Sequence, residues 1–162
     1  MSGRAFVFGD NIDTDVMAPG YLMKLPPEEL ARHCLEAVDP DFATSVQPGD
    51  FVVGGQSFGI GSSREQAAVS LKLLGVRAVI ARSFARIFWR NAINLGLPCI
   101  TLDEAGQIAA GDRLELDLAG GRLTNLSQDR AHGFAPLPEH LMEMIEDGGL
   151  MPHLKRRLGK TA

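Results

Sequence analysis

Cysteine is scarce in this chain: there are two in 162 residues, Cys34 and Cys99, far apart and in apolar surroundings. Two thiols cannot supply the cysteine set of an iron–sulfur cluster, and the four histidines, His33, His132, His140 and His153, show no metal-ligand spacing. Any metal chemistry has to be brought by another molecule, and reduced, buried thiols are the expectation for both cysteines. Long apolar runs are missing as well. No segment approaches the roughly 18 apolar residues of a membrane helix, and the N-terminus lacks the basic-then-apolar order of a signal peptide. A cytoplasmic location with no membrane contact is therefore expected. Positive charge is not in excess either: 16 Lys and Arg against 20 Asp and Glu give a net charge of -4, and the basic residues are scattered apart from Lys155-Arg156-Arg157. Nucleic acid is not suggested as a partner.

What is present is ordinary for a globular protein, 45% hydrophobic and 22% charged. One domain over residues 1–162 is expected, with 150–162 as a C-terminal tail. Apolar runs at residues 5–8, 51–53, 76–81 and 98–102 read as strands. Between them, helices are expected over residues 28–37, 63–74 and 84–95, the last capped by Ser83. The strand–helix–strand–helix–strand order from 51 to 102 implies parallel strands with right-handed crossovers. Strict alternation at 113–118, the turn Ala119-Gly120-Gly121 and a returning strand at 122–126 predict a hairpin with one wet face. A helix over 138–147, ended by Gly148-Gly149, precedes a tail whose default is an exposed amphipathic helix. The class is thus α/β, a mainly parallel sheet flanked by helices with a C-terminal β-hairpin.

The chemistry concentrates in Ser57-Phe58-Gly59-Ile60-Gly61-Ser62-Ser63-Arg64-Glu65, which follows a strand and opens a helix. Gly59 and Gly61 permit positive φ and close approach of a ligand. Ser62 with Glu65 three residues on has the form of a capping box. Free N–H groups at a helix N-terminus, two hydroxyls and the Arg64 guanidinium suit an anion, carboxylate or phosphate. A phosphate loop would end Gly-Lys-Ser/Thr, and here Ser-Ser-Arg-Glu stands instead; a G-x-S-x-G elbow is absent. Upstream, Asp13-Thr14-Asp15 could hold a divalent cation, orient a cationic side chain, or form a solvated turn.

Taken together, Asp10-Asn11-Ile12-Asp13-Thr14-Asp15, the glycine-rich stretch and Ala81-Arg82-Ser83-Phe84-Ala85-Arg86-Ile87-Phe88-Trp89-Arg90-Asn91-Ala92-Ile93-Asn94-Leu95-Gly96-Leu97-Pro98 resemble the small subunits of 3-isopropylmalate dehydratases. These are separately encoded swivelling β/β/α domains of the aconitase superfamily, and the resemblance runs from residue 4 to about 150. It implies a hydro-lyase that moves a hydroxyl between adjacent carbons through an unsaturated intermediate. Ser62 would be the base that takes the proton α to a carboxylate, and Arg64 the clamp on a substrate carboxylate. Ser63, Met23 and Lys24 would contact substrate, with Asp13, Thr14, Asp15, Gly59 and Gly61 in support. The resemblance further implies a large subunit, in a heterodimer or heterotetramer, that carries a [4Fe–4S] cluster; this chain would bind no metal or cofactor of its own. The tail near Leu150 and the 84–97 helix are candidate surfaces for that subunit, core packing being the better assignment for the helix.

Two positions depart from the family pattern. Ile60 stands where relatives often have cysteine, and Gln66 where they often have histidine; altered packing rather than lost chemistry is expected. Tyr21-Leu22-Met23-Lys24 matches a loop that helps set substrate choice, and apolar Met23 favours a substrate with a hydrophobic branch. Lys24 leaves room for a further carboxylate, as in homoaconitase, and a methyl-substituted malate is a third option. From other classes, a non-catalytic anion-binding regulatory module and a self-sufficient hydrolase remain as rivals.

Overall fold

The computed structural model describes residues 2–61 and 64–159. Its elements follow in the order β1 (Ser2–Val7), α1 (Thr14–Met17), α2 (Pro27–Ala31), α3 (Phe42–Ser45), β2 (Phe51–Val53), α4 (Glu65–Leu73), β3 (Ala78–Ala81), α5 (Arg86–Asn94) and β4 (Cys99–Thr101). Then come β5 (Arg113–Asp117), β6 (Arg122–Asn125), β7 (Arg130–Gly133), α6 (Glu139–Glu146) and α7 (Leu150–Gly159). One sheet runs β4-β3-β2-β1-β5-β6-β7. The pairs β1–β2, β2–β3 and β3–β4 are parallel, whereas β1–β5, β5–β6 and β6–β7 are antiparallel.

Burial explains this division. Every residue of β2 and β3 is buried, as a parallel sheet covered on both faces requires. Successive side chains point to opposite faces, so Val52 and Val79 join a core with Met17, Leu30, Phe42, Phe58, Leu71 and Phe88 under α1, α2, α4 and α5. Phe51, Val53, Ala78 and Ile80 face the other way, onto Ile100, Leu102, Leu114 and Leu123, where Met142 and Ile145 of α6 close the layer. In β5 and β6 the burial alternates, leaving the wet face expected of the hairpin.

The structure departs from the sequence expectations in five places. The hairpin gains a third strand, β7, whose Leu123↔His132 pairing brings a histidine into the layer. The helix expected over 28–37 stops at Ala31, because the buried Leu35 adopts φ 61° and donates its N–H to the Val16 carbonyl at 3.0 Å. Ser83 does not cap α5, whose N-cap is Ala85; its hydroxyl instead accepts from the Ser57 N–H at 2.7 Å. The helix expected from 63 begins at Glu65, with Arg64 in extended conformation as N-cap; Ser62 of the expected capping box lies outside the described residues. The tail, finally, is anchored rather than simply exposed, through a buried His153.

That anchor gives a pH prediction. Asp147 Oδ2 accepts from Arg156 Nε at 2.7 Å and from His153 Nδ1 at 2.6 Å. Arg156 foremost, then His153, holds the Asp147 carboxyl below its ordinary range. A carboxyl depressed by folding stabilises the native state above its unfolded value, about 3.9, and that contribution is lost as pH falls through the lower folded value. Asp147→Asn should therefore lower Tm near neutral pH, and the gap to the wild-type protein should close on acidification. Thermal scans in a series of buffers measure it.

Candidate active site

The loop between β2 and α4 lies beyond the C-terminal ends of the parallel strands β1, β2 and β3, where open α/β sheets place their ligands. Its backbone is tied on both flanks. On one side the Gly59 N–H donates to the Ile12 carbonyl at 2.7 Å, the Thr14 N–H donates to the Ile60 carbonyl at 2.8 Å, and Asp13 bridges Ile60. Asp10 Oδ1 accepts from the Gln56 N–H at 2.8 Å. On the other side the Phe58 N–H donates to the Ser83 carbonyl at 3.0 Å and the Ala85 N–H to the Phe58 carbonyl at 2.9 Å. The described parts of the three motifs, 10–15, 57–65 and 81–98, therefore meet at one place in the fold. Asp10 is a member that sequence reasoning left without a role, the turn composition at Asp10-Asn11 being the available signal, and Ser83, expected as a helix cap, serves the site loop instead.

Two glycines are required here. Gly59 has φ 88° and a β-carbon would overlap Cβ and Cγ of Phe88; Gly61 has φ 107° and a β-carbon would fall 2.6 Å from Asp13 Oδ1. Gly59→Ala should cost about 2–3 kcal/mol in equilibrium denaturation, from left-handed strain plus overpacking. Gly9→Ala, where the added carbon meets nothing within 4 Å, is the control and should change little.

Arg64 is the charged centre of the arrangement. Its Nη1 donates to Asp15 Oδ1 at 2.6 Å and to the Ala18 carbonyl at 3.4 Å, while the Gly20 N–H donates to the same Asp15 oxygen at 2.9 Å. The Arg64 bond first, and the Gly20 N–H second, hold the Asp15 carboxyl below its ordinary range. Asp13 caps α1 by accepting the Asp15 N–H at 2.7 Å. Of the three roles open to the acid pair, the geometry displays two: Asp15 orients the Arg64 guanidinium, and Asp13 makes the Asx hydrogen bond of a turn. Thr14 is buried, Met23 is half-buried against the helical core and Lys24 is exposed on the loop that follows the turn Gly20–Leu22. Ile60 engages through its backbone, and Gln66 is exposed in the first turn of α4. Ser62 and Ser63, the expected base and substrate contact, lie outside the described residues.

Among the described residues no three His, Cys, Asp or Glu side chains come together as a metal site. Cys34 and Cys99 are both buried, and burial pushes both thiols up from their ordinary range, the reverse of a ligand thiolate. The donor set does not fit an iron–sulfur cluster on this chain. A cavity of about 400 Å³ lies elsewhere, between α6 and the β5–β6 turn, lined by Glu139, Glu143 and Glu146 among others, a poor host for an anionic substrate. No helix among the described residues is long and apolar enough to cross a membrane.

Comparison with known proteins converges on one family. Residues 26–105, from α2 through β4, match the aconitase C-terminal domain. The chain is 50% identical over 156 residues to the 3-isopropylmalate dehydratase small subunit 1 of Thermotoga maritima, covering 95% of this chain and 94% of that protein. It is 47% identical over 159 residues to the 3-isopropylmalate dehydratase small subunit of Wolinella succinogenes, covering 98% and 95%. The isopropylmalate/citramalate isomerase small subunit of Methanocaldococcus jannaschii is 47% identical over 163 residues, covering 99% and 97%. A crystal structure of 3-isopropylmalate dehydratase from Methanocaldococcus jannaschii superposes with TM-score 0.92 at 41% identity, covering 99% of this chain and 98% of that one.

Proposed function

Because this chain belongs to the 3-isopropylmalate dehydratase small-subunit family, we propose that it serves a hydro-lyase that interconverts 2-isopropylmalate and 3-isopropylmalate. The reaction removes water and adds it back in the opposite sense, a step of leucine biosynthesis. The observation that carries the reading is Arg64, held by Asp15 at the start of α4 beside the Gly59–Gly61 turn, in a chain so close to named small subunits.

On this reading the roles divide as follows. Arg64 offers its planar fork to a substrate carboxylate, a geometry that lysine cannot reproduce. Ser62 takes the proton from the carbon α to a carboxylate as the hydroxyl leaves the adjacent carbon; a C=C bond forms, and the hydroxyl takes a second proton from an acid of the completed site and departs as water. In the return step water adds with its hydroxyl on the other carbon, its spare proton returns to that acid, and the proton held by Ser62 goes to the carbon that first carried the hydroxyl. A serine hydroxyl is a poor base in water, and helix N-terminal N–H groups with a neighbouring guanidinium stabilise the alkoxide once the site is closed from solvent. Met23 supplies apolar wall for the isopropyl branch. The large subunit completes the site, and a [4Fe–4S] cluster held there supplies the Lewis acid for hydroxyl departure. This chain acts as one swivelling domain in the cytoplasm and is inactive alone.

The test is reconstitution with an iron–sulfur large subunit, comparing hydration of isopropylmaleate with that of cis-homoaconitate. Faster hydration of isopropylmaleate supports the reading, and preference for the tricarboxylate sinks it. One observation favours a second substrate, the Methanocaldococcus jannaschii relative named for both isopropylmalate and citramalate. A methyl-branched acid should be included beside the isopropyl one. Turnover by the isolated chain would remove the subunit assignment altogether.

A further inference from the structure

One oxygen atom joins the two halves of the site that the sequence places far apart. Asp15 Oδ1 accepts both the Arg64 Nη1 bond, at 2.6 Å, and the Gly20 N–H, at 2.9 Å. Gly20 opens the turn from which the Met23 N–H donates back to the Gly20 carbonyl at 3.3 Å, so the backbone leading to Met23 and Lys24 hangs from this point. The junction is tight: a β-carbon on Gly20 would lie 3.1 Å from Arg64 Nη2 and 3.1 Å from Asp15 Oδ1, so both side chains would have to shift by a few tenths of an ångström. Asp15 itself is fixed at its backbone by Asp13 Oδ1, at 2.7 Å. Its side chain is 61% exposed, and an ion pair so exposed adds little to folding stability. What the pair fixes is position.

We propose that Asp15 is a positioning residue that registers the loop at residues 20–24 against the Arg64 guanidinium, so that a single carboxylate sets both the clamp and the wall facing the substrate's alkyl branch. The inference rests on the functional reading above and adds to it a determinant of specificity that touches no substrate. With Nη1 committed to Asp15, the guanidinium cannot swing toward the helix, and its remaining N–H groups keep one orientation. Because the loop shares the same acceptor, its distance from the bound carboxylate is fixed as well. Loosening the oxygen should therefore weaken binding and blur the distinction between a large and a small branch together. A role in folding alone would lower the amount of active enzyme and leave both unchanged.

The experiment uses the reconstituted two-subunit complex and two substrates, isopropylmaleate and its methyl-branched analogue. For Asp15→Asn we expect KM for isopropylmaleate to rise about tenfold with kcat within about threefold, the loss of one charge-assisted hydrogen bond. The kcat/KM ratio between the two substrates should fall about fivefold. Asp15→Glu should not restore it, because the added methylene displaces the guanidinium. Gly20→Ala should blur the ratio with every charge intact, and it decides the matter where Asp15→Asn fails to assemble. Asp147→Asn, remote from the site, should keep wild-type KM and ratio. Wild-type KM and selectivity in both Asp15→Asn and Gly20→Ala overturn the proposal, as does a loss confined to kcat. A wild-type complex that hydrates neither acid overturns the functional reading, and this inference with it.

Discussion

Ser62→Ala is expected to lower kcat of the reconstituted complex by about four orders of magnitude, with assembly preserved and KM changed little. The size follows from what the proposed base has to do. A serine hydroxyl carries its proton at every physiological pH, so it can accept one from carbon only where its surroundings hold the alkoxide. The described residues on either side of it in sequence carry groups suited to that task. Gly61, at φ 107°, turns the chain, and Arg64 then enters α4 as an N-cap that makes no side-chain capping bond. The first N–H groups of α4 thus lack that partner, and the partial positive charge of the helix end adds to the nearby guanidinium. Alanine leaves all of this in place and removes one oxygen. The loss should accordingly fall on the chemical step rather than on binding, whereas Ser63→Ala, a proposed substrate contact, should raise KM instead. Steady-state kinetics beside size-exclusion of the complex separate the two, and a kcat for Ser62→Ala within tenfold of wild type would remove the base assignment.

The parts of this site that could be read from sequence are those whose causes are local. Apolar runs without alternation, at 51–53 and 78–81, dictate strands buried on both faces, and the parallel half of the sheet follows from the helices between them. The glycine-rich turn announces itself because Gly59 and Gly61 occupy backbone conformations that other residues resist. What could not be read has causes far along the chain. Arg-Ala-His-Gly carries no strand pattern, and β7 exists because β6 offers it an edge. The helix expected from 63 starts two residues later, because Arg64 is bonded to Asp15, 49 residues away, and stays extended. Leu35 leaves the expected helix for a carbonyl on α1, and Ser83 leaves its expected cap for a N–H on the site loop. In each case a tertiary hydrogen bond outweighs a local preference worth about 1 kcal/mol. The acid pair Asp13 and Asp15 is the instructive case: its chemistry was legible, and its use depended on which cation the fold brought near.

Arg64→Lys should be the second most damaging change, lowering kcat/KM by about a thousandfold although the charge is kept. The reason lies in how many partners the side chain serves at once. A guanidinium gives Nη1 to Asp15, at 2.6 Å, and in the proposed role would still offer a planar pair of N–H groups to a substrate carboxylate. An ammonium is a single point on a flexible stem. Held by Asp15, it has no fork to offer; released to the substrate, it leaves Asp15 as an uncompensated negative charge facing a dianion. Both outcomes weaken the transition state, the first through lost geometry and the second through repulsion. A double variant separates them. Asp15→Asn alone is harmful to the wild-type enzyme, but in the Arg64→Lys background it removes the competitor for the ammonium, and should recover about tenfold in kcat/KM. That reversal of sign is specific to a clamp shared between an internal acid and a bound one. Additive losses in the double variant would show that Arg64 and Asp15 act independently, and an Arg64→Lys enzyme within tenfold of wild type would show that the clamp lies elsewhere.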